Sequence, residues 1–197
     1  RVVRRGTNVI GLVSYLVFFA IVASILAIAV LGLNLQWGNT GLFNGGVVAF
    51  FGAGAYGTLI LGGGPQDGQL GGFGLFYPLA LLGGMATAGL LAWGVGILTL
   101  RLRHDYLAIS TFGIAVAFEN LMRNAQWLGG GAQGLRGFDR PLRAALGDGF
   151  LYNILFLLCV LVLLVLTYRF LETLVASPFG RQLRAIREDE TAARSLG

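Results

Sequence analysis

Apolar residues in this chain come in long unbroken blocks, separated by short clusters of glycine, proline and arginine. They show neither the strict alternation of a half-buried strand nor the one-sided stripe of a soluble helix. Four blocks reach the roughly 20 apolar residues that a membrane-spanning helix needs. They lie at about 9–33, 76–100, 106–122 and 150–168. A fifth region, 36–62, is mixed. Gln36, Asn39, Thr40 and Asn44 alternate there with Gly38, Gly41, Gly45 and Gly46, and only 47–61 is continuously apolar. The pattern predicts an all-α polytopic membrane protein with about four full transmembrane helices and a broken or re-entrant element at 36–62. Irregular backbone at membrane depth is tolerated only where protein or a polar cavity surrounds it.

Arginine placement suggests an orientation. Arg1, Arg4 and Arg5 favour a cytoplasmic N-terminus, Arg101 and Arg103 a cytoplasmic turn, and the charged run after 176 a cytoplasmic end. Four crossings plus a re-entrant 36–62 satisfy all three and leave 123–149 outside. The apolar block after the first arginines is too long for a signal peptide and reads as a retained helix. Small residues fall at four-residue intervals, Gly84, Ala88, Ala92 and Gly96 on one helix and Ala53 and Gly57 on another. Such seams serve close helix packing, within the chain or between subunits.

Composition removes several kinds of chemistry. The chain is 56% hydrophobic and 12% charged, against about a quarter charged in soluble domains. The net charge of +5 could suggest nucleic acid, but the basic residues sit at segment ends, where membrane topology puts them. All 14 basic residues are arginine, so a phosphate-binding lysine loop is excluded. With one cysteine, Cys159, and one histidine, His104, no intrachain disulfide and no cysteine- or histidine-based metal site can form. His104–Asp105 borders a turn with no nucleophile nearby, and Asp105 reads as the N-cap of a helix starting at Tyr106.

Two polar features remain inside the apolar segments. Glu119 has Asn120 and Arg123 beside it, and Arg123 stands at i+4, placed to pair with it. A structural pair and a group on a solute pathway are both open readings. Asn39, Thr40 and Asn44, in the polar-glycine stretch, could face a solute as broken transporter helices do, or could form an interfacial loop.

The run Ser177–Gly197 is different in kind. Ser177-Pro178 is a helix start, Arg184–Glu188 and Glu190–Arg194 are i,i+4 pairs, and Leu183, Ile186, Ala193 and Leu196 mark a narrow apolar face. Glu188-Asp189-Glu190 opposes adsorption to anionic lipid, which favours docking to a soluble protein over lying on the membrane.

These stretches resemble permease subunits of branched-chain amino-acid ABC importers, of the LivM type. The likeness is carried by Gly32-Leu-Asn-Leu with Gly38-Asn-Thr-Gly-Leu and Ala49-Phe-Phe-Gly-Ala-Gly-Ala-Tyr56, by Leu100-Arg-Leu-Arg-His-Asp-Tyr-Leu-Ala-Ile109, and by Gly129-Gly-Gly-Ala-Gln-Gly-Leu-Arg-Gly137. Gly180 to Gly197 resembles the family's cytoplasmic coupling loop, which seats on the ATPase. The resemblance implies that Gly180, Arg184, Arg187, Glu188, Asp189, Glu190, Ala192, Ala193 and Gly197 couple to an ATPase. It implies a second related permease, two cytoplasmic ATPases that bind ATP and magnesium, a periplasmic solute-binding protein and a bacterial inner membrane. It implies no catalytic residue, metal or cofactor in this chain. The expected cargo is a branched-chain or other amino acid, with urea or a short amide as the alternative cargo and a non-transport scaffold as the alternative class. The resemblance also implies that residues 1–197 form one permease domain, the first part of a longer permease.

Overall fold

The computed structural model describes residues 2–65, 68–99, 102, 104–135, 147 and 149–188. Regular structure among them is helical. The elements are α1 (Val2–Thr40), α2 (Val47–Gly62), α3 (Tyr77–Thr99), α4 (His104–Asn124), the single turn α5 (Gln126–Gly129) with a 3-10 turn at Gly131–Gln133, α6 (Phe150–Ala176) and α7 (Pro178–Glu188). Three stretches are long and apolar enough to cross a membrane, Gly11–Thr40, Tyr77–Thr99 and Phe150–Ala176, as expected of a polytopic membrane protein. The expected fourth span, 106–122, is helical within α4. Ser110, Thr111, Glu119, Asn120, Arg123 and Asn124 make it less apolar than the other three. Its start at His104 also takes Asp105 inside the helix rather than leaving it as the N-cap.

The chain divides into two compact units, Arg1–Gly41 with Leu142–Gly197, and Leu42–Pro141. In the first, α1 packs along α6, and α7 packs on both. The grooves along the α1–α6 contact show its direction. Ala27 and Val30 share one with Leu164 and Val165, while Leu35 and Asn39 share another with Leu171 and Val175. The two helices are therefore parallel, and α7 sits at the C-terminal end of both. The start of α1 and α7 thus stand at opposite ends of this unit. The arginine distribution alone would put both on one membrane face. The physical reason for their separation is helix direction: α6 packs parallel to α1, so the end of α6 lies beside the end of α1 and away from its start.

That break falls at Gly41, later than the start of the expected irregular region. Gln36, Asn39 and Thr40 belong to the last turns of α1, where Thr40 Oγ1 donates to the Gln36 carbonyl at 2.6 Å. Gly41 has φ +73° and its N–H donates to the Trp37 carbonyl at 3.0 Å, a left-handed helix stop that favours glycine. After it the chain is non-helical to Gly46, and α2 follows with 16 residues, about 24 Å, short of a full crossing. The broken element is therefore a stop, a short irregular link and a short helix.

In the second unit, α2 and α3 form an antiparallel hairpin whose contact face is built from small residues. Ala49, Ala53 and Gly57 on α2 are buried, as are Ala80 and Gly84 on α3. A Cβ on Gly54 would touch Ala88 at 3.4 Å, and one on Gly57 would collide with the Thr87 hydroxyl. Thr87 Oγ1 donates to the Ala53 carbonyl at 3.2 Å, tying the helices across the seam. Gly84 and Ala88 of the four-residue repeat thus serve packing within the chain. Close approach of backbones replaces the hydrophobic drive that lipid cannot supply. The glycine-rich link between the two helices folds back on them, with Leu75 N–H donating to Leu61 and Gly74 N–H to Gly63, both at 3.0 Å.

Candidate functional site

The charged run begins with a sharp elbow whose sequence explains it. In a continuous helix the Leu174 carbonyl would accept from residue 178, but Pro178 has no N–H. Ser177 substitutes for it. Its Oγ donates to Leu174 at 2.6 Å, and its N–H lies 3.1 Å from the Thr173 carbonyl and 3.2 Å from that of Leu174. Ser177 therefore finishes α6 with its side chain, while Pro178 opens α7 at the position proline tolerates best. Gly180 is buried in the angle, and a Cβ there would collide with the backbone carbonyl of Val175.

The short helix α7 is strongly amphipathic. Leu183 and Ile186 are half-buried, whereas Arg181, Arg184, Arg187 and Glu188 are exposed. The Arg184–Glu188 pair expected from i,i+4 spacing is not made; among the described residues the ion pairs are Glu119–Arg123 and Arg169–Glu172. Arg187 instead reaches back 149 positions, and its Nη1 donates to the Gly38 carbonyl at 2.7 Å. Gly38 lies in the last turn of α1, beyond which no helical N–H follows to meet its carbonyl. The guanidinium also meets the negative end of the α1 dipole, worth roughly 0.3–1 kcal/mol at an exposed site. Gly180, Arg184, Arg187 and Glu188 are thus gathered on α7. Asp189, Glu190, Ala192, Ala193 and Gly197 lie outside the described residues, as does the Glu190–Arg194 pair.

Of the residues expected to face a solute, Asn39 and Thr40 belong to the first unit and Asn44 and Glu119 to the second. Asn39 lines a groove of about 260 Å³ with Asn34 of α1 and Tyr168 and Glu172 of α6. Glu172 escaped the sequence reading because the apolar block ends near 168 while α6 continues to Ala176. Asn44 uses its Oδ1 to accept the Gly46 N–H at 2.8 Å and so shapes the link before α2. Glu119 pairs with Arg123 at 2.8 Å, as the spacing predicts, with side chains 60% and 66% exposed. Both line a groove of about 630 Å³ whose walls include Tyr56, Phe112, Phe118 and Met122, with Gln133 from the glycine-rich loop.

Thr111 was not singled out from the sequence, yet it is almost completely buried. Its Oγ1 accepts the Gly45 N–H at 3.0 Å and donates to the Leu107 carbonyl at 2.8 Å. It fastens the Asn44–Gly46 turn to α4 at the edge of that groove. A Cβ on Gly45 would crowd the Phe112 backbone at 3.2 Å. A threonine inside an apolar helix is the signal that would have found it, because its hydroxyl can serve one bond outside its own turn.

The family described as branched-chain amino acid transport system / permease component matches residues 15–197. The high-affinity branched-chain amino acid transport system permease protein LivM of Escherichia coli strain K12 is 34% identical over 197 residues, covering 85% of this chain and 42% of that protein. Its counterpart from Salmonella typhimurium strain LT2 is 34% identical over 192 residues, with the same coverage. A probable branched-chain amino acid transport permease protein LivM of Methanocaldococcus jannaschii is 34% identical over 98 residues, 49% of this chain and 27% of that protein. The chain therefore spans less than half the length of these relatives. No solved structure matches it.

Proposed function

Since the chain belongs to the branched-chain amino acid transport permease family, we propose that it is a transmembrane permease subunit of an ATP-driven importer for leucine, isoleucine, valine or a similar amino acid. In this reading it works in the plasma membrane beside a second related permease, two cytoplasmic ATPases and an external solute-binding protein. It hydrolyses nothing itself; ATP and magnesium belong to the ATPases.

The observation that carries the reading is α7. A short charged helix packs at the ends of two long apolar helices, with Arg184 and Glu188 exposed. A membrane protein gains little from such a helix unless a soluble partner pushes on it. We assign ATPase contact to Arg184 and Glu188 and to the charged and small residues that follow, Asp189, Glu190, Ala192, Ala193 and Gly197. Gly180 sets the angle at which they are presented. α7 converts closure of the ATPases into movement of α6 and α1, which alternates access to the solute.

For the solute path we assign Glu119, and in the first unit Asn39. Thr40 and Asn44 contribute through the backbone they hold. Glu119 and Arg123 together offer a carboxylate and a guanidinium beside aromatic and aliphatic walls. That combination suits a solute with a charged head and an apolar side chain. Uptake of labelled leucine by the complete importer tests this. Excess isoleucine or valine should compete and urea or acetamide should not, and Glu119→Gln should lower uptake about tenfold, a change of 1.4 kcal/mol. Competition by urea or acetamide alone would shift the cargo to amides. No uptake by a correctly assembled complex would favour a scaffold.

A further inference from the structure

We propose that Arg187 is a positioning residue that latches the coupling helix α7 to the C-terminal end of α1, so that force applied to α7 reaches α1 as well as α6. The inference rests on the permease reading and assigns a mechanical role within it. A helix joined to the membrane part at one end can swing about its elbow. Helix α7 is joined covalently at the Ser177–Gly180 elbow, and Arg187 supplies a second attachment in the last turn, at the other end of the described helix. Two points of attachment fix its direction.

The receiving site on α1 is suited to this. The Gly38 carbonyl lies in the final turn, where the helix leaves acceptors without intrahelical donors. The left-handed turn at Gly41 ends the helix there, and the missing side chain leaves room for the arginine stem. A Cβ on Gly41 would lie 3.3 Å from Arg187 Cγ. The bond is single and exposed rather than a buried ion pair, so it can be made and broken as the helices shift. Arg184, three residues earlier on the same helix, makes no such contact and remains available to a soluble partner. The two arginines therefore divide the work, one facing the ATPase and one facing α1.

The experiment uses the complete importer in proteoliposomes, with labelled leucine and three readouts: retention of the ATPases, ATP hydrolysis, and leucine transported per ATP. Arg187→Met should leave retention and hydrolysis within about twofold and lower leucine per ATP about tenfold, a change of about 1.4 kcal/mol in coupling. Arg187→Lys keeps a cationic donor and should restore most of the loss. Arg187→Gln, polar but without the charge and the reach, should lower the same ratio as far as Arg187→Met does. It keeps the test decisive if Arg187→Met fails to insert. An unchanged ratio in Arg187→Met, or in Arg187→Gln where Met fails to insert, would overturn the latch. So would loss of the ATPases in both Arg187→Met and Arg187→Lys, which would make Arg187 part of the docking surface. Failure of the unaltered permease to retain any ATPase would overturn the permease reading itself, a result separate from either.

Discussion

At the scale of single residues, the geometry rests on a few positions where a side chain or its absence is irreplaceable. Gly180 is one. A Cβ there meets the Val175 backbone, which cannot yield as a flexible side chain would. Gly180→Val should therefore leave insertion normal but re-aim α7, and ATPase retention should fall sharply on co-purification. Thr111 is another. Thr111→Val keeps the shape but leaves the Gly45 N–H without its acceptor, at a cost of roughly 1–3 kcal/mol. It should lower the thermal unfolding midpoint in detergent, whereas Thr111→Ser should stay near the unaltered protein. Sequence reasoning reached Gly180 through its motif, and it reached the Glu119–Arg123 pair through i,i+4 spacing, because both signals are local. Thr111–Gly45 and Arg187–Gly38 join positions 66 and 149 residues apart. No local pattern announces such partners.

At the scale of elements, apolar block length was a good guide to where helices lie and a poor guide to where they end. Helix α6 runs eight residues past the expected 168, and α1 seven past the expected 33, because polar residues near a membrane interface continue a helix without interrupting it. Termination is decided by backbone chemistry instead: left-handed Gly41 for α1 and the missing N–H of Pro178 for α6. The break at Pro178 was legible as the start of the next helix, whereas Gly41 was lost among the glycines of 36–62. The α2–α3 seam was legible from its four-residue spacing, but whether it faced its own chain was a tertiary question. Gly57→Leu should force the two helices apart, since Thr87 fills the space. A pair of cysteines placed across the seam, with Cys159 changed to serine, should then lose the cross-link it forms in the glycine background.

At the scale of the whole molecule, the parallel run of α1 and α6 sets the two ends of the first unit apart, where arginine counting puts them together. With α7 cytoplasmic, the start of α1 lies on the other side of the membrane. In intact cells a membrane-impermeant maleimide should label a cysteine at Val2 and spare one at Arg184, and inverted vesicles should give the reverse. Labelling of both from one side would return the chain to the topology inferred from arginines. The positive-inside bias is a statistical pull counted over short loops, whereas the labelling reads each end directly. If α7 and the residues after it seat a soluble ATPase, purifying the permease with and without Arg184–Gly197 and identifying what accompanies it will show the contact. An ATPase pair should come with the intact protein and be lost from the shortened one, while the second permease stays bound in both. Equal recovery of the ATPases with and without the segment, or their absence from stable intact protein, would contradict that contact.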